Sequence, residues 1–271
     1  MKTVSIIGLG WIGEPLAFDL LKKGFQVQGS STSAEKLEKL SKKGLHALRF
    51  SLNPQPEGLG FKELFQSEIL VVNIPPRTRT GNGDFHLEQI KQLRTLVDDS
   101  PIKKVVFVSS TGIYPDIPSE EMYAEDFPLS SENTGNPTIL QAERLMEKDR
   151  NYELTIIRFG GLMGDDRIPG KYFSGKDHVA GHTRVNFIHR QDAVGMLTWV
   201  IEKELWNETF NGVAPIHPLR REIYERNSSR LGIAPPLSYQ NASEGIDRLI
   251  ACEKILETGF EFEFPDPLEF V

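Results

Sequence analysis

The sequence predicts an α/β fold: a doubly wound parallel sheet with a smaller C-terminal lobe. Three observations predict it. Short apolar runs alternate with helix-length amphipathic stretches through most of the chain. The first run, residues 4–7, leads straight into Gly8-Leu9-Gly10-Trp11-Ile12-Gly13 and then into a helix-like stretch. After Pro215 the alternation loosens and prolines accumulate, as a smaller lobe would show.

The elements follow in order. Residues 4–7 form the first strand and 14–22 the first helix. Residues 25–29 read as a second strand, and Thr32 to Glu35 has the spacing of a capping box opening a helix over 34–41. A short third strand lies near 47–50. Pro54, Pro56, Gly58 and Gly60 mark an irregular link before a buried fourth strand, 68–74, that ends in Pro75-Pro76. A polar loop, 77–84, precedes a helix over 85–98. The run 104–109 is a fifth, buried strand. A long irregular stretch, 112–137, reaches a helix over 138–149, and 154–159 is a sixth strand. Residues 185–188 read as a strand fragment, 192–203 as a helix and 209–213 as a last strand. The division expected is a nucleotide-binding domain over 1–159, to which 185–213 return, and a smaller substrate lobe over 160–271.

Bulk properties narrow the function. The chain has 271 residues, 25% charged and 39% hydrophobic, the make-up of an ordinary globular protein. A net charge of −7 argues against nucleic acid as a partner, because phosphate backbones select basic surfaces. The single cysteine, Cys252, forms no internal disulfide, which fits a reducing compartment. No apolar run is long enough to span a bilayer. Glu14, Pro15 and Asp19 interrupt the apolar start, and no small-residue cleavage site follows it, so it does not read as a signal peptide. A cytoplasmic protein without a membrane partner is expected; the oligomeric state is open.

Strand, glycine turn, helix is the context in which G-x-G-x-x-G carries chemistry. Gly8 permits the turn, Gly10 removes a Cβ from the path of a diphosphate, and Gly13 lets the helix pack closely on the strand. Backbone N–H groups at the helix start, with the helix dipole behind them, favour the negative charge. The fold expected is therefore of Rossmann type, binding a dinucleotide. The competing reading is a glycine turn in a core that binds nothing.

Three further segments carry a family likeness. Val105-Val106-Phe107-Val108-Ser109-Ser110-Thr111-Gly112-Ile113-Tyr114 resembles the fifth strand and active-site turn of extended short-chain dehydrogenases/reductases. Arg158-Phe159-Gly160-Gly161-Leu162-Met163-Gly164 is similar to their sixth strand and following loop. Phe187-Ile188-His189-Arg190-Gln191-Asp192-Ala193 resembles a further marker of the group. Together with the glycine loop, the resemblance to the NAD-dependent epimerase/dehydratase family covers roughly residues 1–215. It implies hydride transfer at a nicotinamide, a tyrosine acid/base helped by a lysine four residues on, and a serine that polarises the substrate oxygen. Ser110 matches that serine. The tyrosine and lysine belong on the helix after the active-site turn, yet residues 133–143, NTGNPTILQAE, contain neither. The sequence thus resembles an atypical branch of the family.

The one Tyr-x-x-x-Lys, Tyr172 to Lys176, lies between Gly170 and Gly175, where a regular helix is disfavoured, so its spacing is read as a decoy for catalysis. Tyr114, on the active-site turn, is the candidate surrogate acid, with a structural role as the alternative.

The cofactor site expected takes in Gly8, Leu9, Gly10, Trp11, Ile12 and Gly13 of the loop, and Ser30, Ser31, Thr32 and Lys36 after the second strand. It is completed by Ile74, Pro75 and Pro76 after the fourth strand, Ser109 at the fifth, and Phe159 and Gly160 at the sixth. An acid at the end of the second strand would hold the ribose 2′-OH of NAD. Here Gly29-Ser30-Ser31-Thr32-Ser33 stands instead, so NADP is preferred, with NAD as the second option. Substrate contacts are assigned to Arg77, Arg167 and Tyr172. Arg77 follows the fourth strand, where ligands of doubly wound sheets bind. Arg167 belongs to a basic stretch, 160–190, suited to an anionic or sugar-like molecule. Arg158 is assigned to packing and Asp192 to helix capping. His178 and His182 are separated by Gly181, and no metal is expected.

Two functions compete: an NADP-dependent oxidoreductase or epimerase acting on a small polar molecule, and a catalytically silent NADP-binding regulatory protein. A third reading, a β-hydroxyacid dehydrogenase, shares the glycine loop but requires a largely helical second domain. The mixed, proline-bearing tail and the Ser109 to Tyr114 turn argue against it.

Overall fold

A computed structural model of the chain describes residues 2–76, 83–117, 122–242 and 247–270. Division by backbone contacts gives two units. The first holds 1–113, 136–157 and 197–209, and the second 114–135, 158–196 and 210–271. Residues 114–135, which follow the turn after Ser110, go with the second unit, and 197–209 return to the first.

The first unit opens with β1 (Thr3–Ile7), α1 (Gly13–Lys22), β2 (Gln26–Ser31), α2 (Ala34–Lys42) and β3 (His46–Arg49). The short strands β4 (Ser51–Asn53) and β5 (Gln55–Glu57) come next. After them stand β6 (Ile69–Val72), α3 (Gly83–Asp98), β7 (Lys104–Ser110) and α4 (Pro137–Glu147). The next strand, β8 (Glu153–Phe159), crosses the unit boundary, as do α5 (Arg190–Glu202) and β11 (Thr209–Gly212).

The main sheet has seven strands in the order β11-β8-β7-β6-β1-β2-β3. The pairs β1–β2, β1–β6, β2–β3 and β6–β7 are parallel, with Val4 opposite both Val27 and Ile69. The order reverses at β1, and such a switch point opens a crevice beyond the carboxyl ends of the strands. All of β6 is buried, so its apolar run does not alternate. Leu16, Ala17 and Leu20 form the fully buried face of α1, each leucine contributing about 1.5–3 kcal/mol by leaving water. Gly24, at φ +87°, ends α1 in the left-handed conformation.

Two local expectations are corrected here. The N-cap of α2 is Ser33, whose hydroxyl accepts from Lys36 N–H at 3.3 Å. Glu35 is therefore not in a capping box with Thr32; it pairs with Lys39 at 2.6 Å one turn on. Residues 51–57, part of which read as an irregular link, form an antiparallel hairpin with Pro54 at its turn. Pro56 sits on a two-stranded ribbon where missing donors are tolerated.

In the second unit β9 (Gly161–Met163) pairs in parallel with β10 (Phe187–His189). It also holds α6 (Arg220–Leu231) and α7 (Glu253–Glu257), with parts of α5 (Arg190–Glu202) and β11 (Thr209–Gly212). Val185, Phe187, Ala214, Ile223 and Tyr224 build its own core.

Candidate functional site

The first unit carries a cavity of about 660 Å³. One wall is the glycine loop, with Gly8, Leu9 and Gly10. Ser30, Ser31, Thr32 and Lys36 follow from the end of β2 and the start of α2, and Asn73, Ile74, Pro75 and Pro76 from the end of β6. These are the places the switch point of the sheet assigns to a ligand.

The loop is built by close backbone approaches. Gly8 has φ +102°, and a Cβ there would stand 2.5 Å from the Asn73 carbonyl oxygen. A Cβ on Gly13 would stand 2.1 Å from the Gly8 oxygen. Gly10 differs: a Cβ would meet nothing closer than 4.0 Å, so the space beside it is open. That open face fits a dinucleotide diphosphate, which needs backbone N–H groups without an intervening side chain. The Asn73 side-chain amide donates to the Gly8 carbonyl at 3.1 Å and fixes the loop to β6. Leu9 and Ile12 are buried, so their side chains are not offered to a ligand, and the Leu9 N–H already donates to the Ser30 carbonyl at 2.7 Å.

The hydroxyls after β2 have separate tasks. Ser30 is buried, and its oxygen accepts from Gly8 N–H at 3.1 Å, so it organises the glycine loop. Ser31 Oγ accepts from Ser33 N–H at 3.3 Å. Thr32 is exposed at the cavity edge. Lys36 supplies the ammonium of this wall, and its Nζ lies 3.0 Å from the Glu14 carboxylate.

Sequence reasoning missed a further wall. Phe50, Ser51, Leu52, Asn53 and Glu57 of the hairpin, with Phe85 and Gln89 of α3, also line the cavity. The Gln89 amide donates to the Leu52 carbonyl at 2.6 Å and ties hairpin to helix. Pro54 and Pro56 signalled a turn, but nothing local to the sequence showed that it faces the ligand side.

Other expected site residues fall elsewhere. The Ser109 hydroxyl donates to Glu143, a carboxylate buried on α4, so its side chain serves strand–helix packing. Ser110 is half-buried, and its oxygen accepts from Gly112 N–H at 3.1 Å. A hydroxyl that accepts keeps its own proton to donate. Arg77 lies outside the described residues.

In the second unit Tyr114 is fully buried. Its hydroxyl donates to Asn211 Oδ1 at 2.8 Å and accepts from Arg158 at 2.9 Å. Burial pushes its pKa up, against the opposing Arg158 charge. This is a correction to its candidacy as an acid: a phenol enclosed in this way cannot reach a reacting oxygen. Arg158 also lies over the Tyr114 ring, in keeping with packing. Phe159 is buried against Gly212, where a Cβ would come within 2.3 Å of the ring. Gly160 is required by the Asn186 carbonyl, whose oxygen would stand 2.2 Å from a Cβ at that position. The Phe159 ring is thus taken up in packing, and Gly160 can offer a ligand only main chain.

Asp192 does not cap its helix through its side chain. Its carboxylate accepts from Glu263 and Phe264 N–H at 2.7 and 3.1 Å and so pins the C-terminal segment. Burial pushes its pKa up to about 6, with the two N–H donors working against the shift. His189, 3.9 Å from Phe264 ring to ring, is held below its ordinary pKa by burial. Tyr172 is 75% exposed, and Lys176 Nζ lies 3.3 Å from its ring centre, over the face rather than at the hydroxyl. Arg167 is exposed in a turn closed with Gly164.

Fold and cavity define an NAD(P)-binding protein of Rossmann type, and comparison with known proteins agrees. Residues 3–58 match the family described as the NAD binding domain of 6-phosphogluconate dehydrogenase. The chain is 31% identical to Protein YeeZ of Escherichia coli strain K12, over 99% of this chain and 98% of that protein. Human epimerase family protein SDR39U1 is 29% identical over 121 residues, 40% of this chain and 41% of that protein. The structure of its isoform 2 with NADPH superposes with a TM-score of 0.70 at 19% identity, covering 99% and 97% of the two chains. MoeE5 in complex with UDP-glucose and NAD gives 0.76 at 16% identity, covering 99% and 96%. The chain belongs to the family that includes Protein YeeZ, and its fold is the one shared by the epimerase/dehydratase-like structures with which it superposes.

Proposed function

We propose that the protein is an NADP(H)-dependent oxidoreductase or epimerase acting on a small polar, sugar-like molecule without the usual tyrosine–lysine pair. The observation that carries the reading is the cavity wall after β2, which presents Ser31, Thr32 and Lys36 where a ribose-binding acid would stand. Absence of a carboxylate there removes repulsion against a 2′-phosphate, and Lys36 adds attraction. Glu57, the carboxylate among the described cavity residues, stands on the hairpin instead. NADPH bound to SDR39U1 and UDP-glucose bound to MoeE5 support the cofactor and substrate classes by analogy.

The glycine loop would hold the diphosphate, and the Ser31, Thr32 and Lys36 wall the 2′-phosphate. A bound nicotinamide supplies or takes up hydride. Ser110 then has the task this chain retains: its hydroxyl donates to the substrate oxygen and stabilises the negative charge that develops there. With Tyr114 enclosed, the proton reaches that oxygen from solvent by way of Ser110. Arg77, Arg167 and Tyr172 remain assigned to the substrate.

The test is calorimetric titration with NADPH and NADH, followed by turnover against a panel of carbonyl compounds and nucleotide sugars. Tighter NADPH binding is expected, with turnover that Ser110→Ala lowers about 100-fold or more at unchanged NADPH affinity. NADPH binding without turnover across the panel would favour the silent regulatory protein.

A further inference from the structure

Glu14 is the first residue after the glycine loop and stands in the first turn of α1. Its two carboxylate oxygens face two ammonium groups, Lys36 Nζ at 3.0 Å and Lys43 Nζ at 3.1 Å. Glu14 and Lys36 are both about one-third exposed or less, so this pair is better shielded than a fully solvated one. Burial pushes the Glu14 carboxyl up, but the hydrogen bonds and charges of Lys36 and Lys43 outweigh it and hold the group below the usual range. The carboxylate is therefore charged at neutral pH. Lys36 alone also lines the cofactor cavity; on its other side lies a depression walled by Lys39, Lys42 and Lys43 together with Glu14 and Glu35.

We infer that Glu14 sets the strength of 2′-phosphate recognition by competing for the Lys36 ammonium. The inference rests on the NADP(H) reading above. A 2′-phosphate carries between one and two negative charges at neutral pH, and Lys36 is the cation beside Ser31 and Thr32 that meets it. Glu14 already occupies that cation. Its own charge also subtracts from the field at the phosphate: Glu14, Lys36 and Lys43 together carry +1, and neutralising Glu14 raises them to +2. NAD(H) has a hydroxyl in place of that phosphate, so its response is confined to the diphosphate that both cofactors share and is the smaller of the two. Glu14 is thus a specificity-determining residue that contacts the cofactor's ligand, not the cofactor.

Glu14→Gln is the informative change, because the amide oxygen still accepts from Lys36 while the charge is lost. NADPH and NADH affinities are measured by calorimetry for the wild type, Glu14→Gln, Lys36→Met and the double variant, with thermal melting to confirm folding. Glu14→Gln should tighten NADPH by about three- to tenfold and leave NADH within about twofold. Lys36→Met should weaken NADPH by about tenfold, and in that background Glu14→Gln should act by less than about twofold. If Glu14→Gln does not fold, Glu14→Ala carries the same comparison. Unchanged or weaker NADPH binding in a wild type that prefers NADPH overturns the role of Glu14 and leaves the cofactor reading standing. A wild type that prefers NADH overturns the cofactor reading, and this inference with it.

Discussion

Gly10→Val separates ligand space from folding space in the glycine loop. The backbone of Gly10 is not in the left-handed region, and a Cβ meets nothing nearer than the Gly8 oxygen at 4.0 Å. Replacing such a glycine reduces unfolded-chain entropy, worth about 0.4–1 kcal/mol of stability. The β-branch costs a few tenths back at a helix start. Stability should therefore stay within about 1 kcal/mol, or roughly 3 °C in Tm for a chain of this size. Binding responds differently, because the isopropyl group fills the space through which the diphosphate approaches the N–H groups. Losing two charge-assisted hydrogen bonds removes about 3–6 kcal/mol, a loss of more than about 100-fold in affinity. Gly13→Ala is the contrasting change. Its Cβ would sit 2.1 Å from backbone oxygen, so the loop must move and Tm should fall by about 5 °C or more. Thermal denaturation and calorimetric titration with NADPH and NADH read both effects. A Gly10→Val protein that melts normally and binds dinucleotide as the wild type does would refute the assignment of the diphosphate to this loop.

Other outcomes follow from the second unit. Tyr114→Phe deprives buried Asn211 and Arg158 of one partner each, so the denaturant midpoint should drop by an amount equivalent to about 1–3 kcal/mol. Asp192, with its pKa pushed up to about 6, holds more protons folded than unfolded between that value and its ordinary 3.8. Its contribution therefore makes the protein more stable as pH falls through 6 toward 4, by up to about 3 kcal/mol. In Asp192→Asn that part of the pH–stability curve should be absent from urea melts taken across the range. Tyr172→Phe and Lys176→Ala should leave kcat within about twofold, because the ammonium faces the ring and not the phenol oxygen; loss of the Tyr172 hydroxyl as a substrate contact should register in KM. Abolished turnover in either at intact cofactor affinity would instead make the loop-borne pair the catalyst.

Much of the site was legible wherever a residue's task is set by its neighbours in sequence. The glycine spacing announced a turn between strand and helix, and the close contacts at Gly8 and Gly13 are those the spacing requires. The serine run after β2 and Lys36 were visible for the same reason. The hairpin wall was not, because Phe50, Leu52 and Asn53 acquire their facing from long-range packing against α3. Ser109 and Ser110 are adjacent and chemically identical, yet one is consumed by Glu143 on α4 and the other is not.

The sequence by itself determined the class of the fold, the alternation of strands and helices that builds the main sheet, and the place of the glycine loop, because periodicity and turn chemistry act over a few residues. Tertiary structure alone decided which polar groups remain available. Tyr114 lost its candidacy to Asn211, nearly a hundred residues away, and to Arg158. Asp192 was claimed by the backbone of the C-terminal segment. Lys36 acquired a competitor in Glu14 from a different helix. Burial and hydrogen-bond pairing depend on contacts between residues distant in the chain, and no local pattern encodes them.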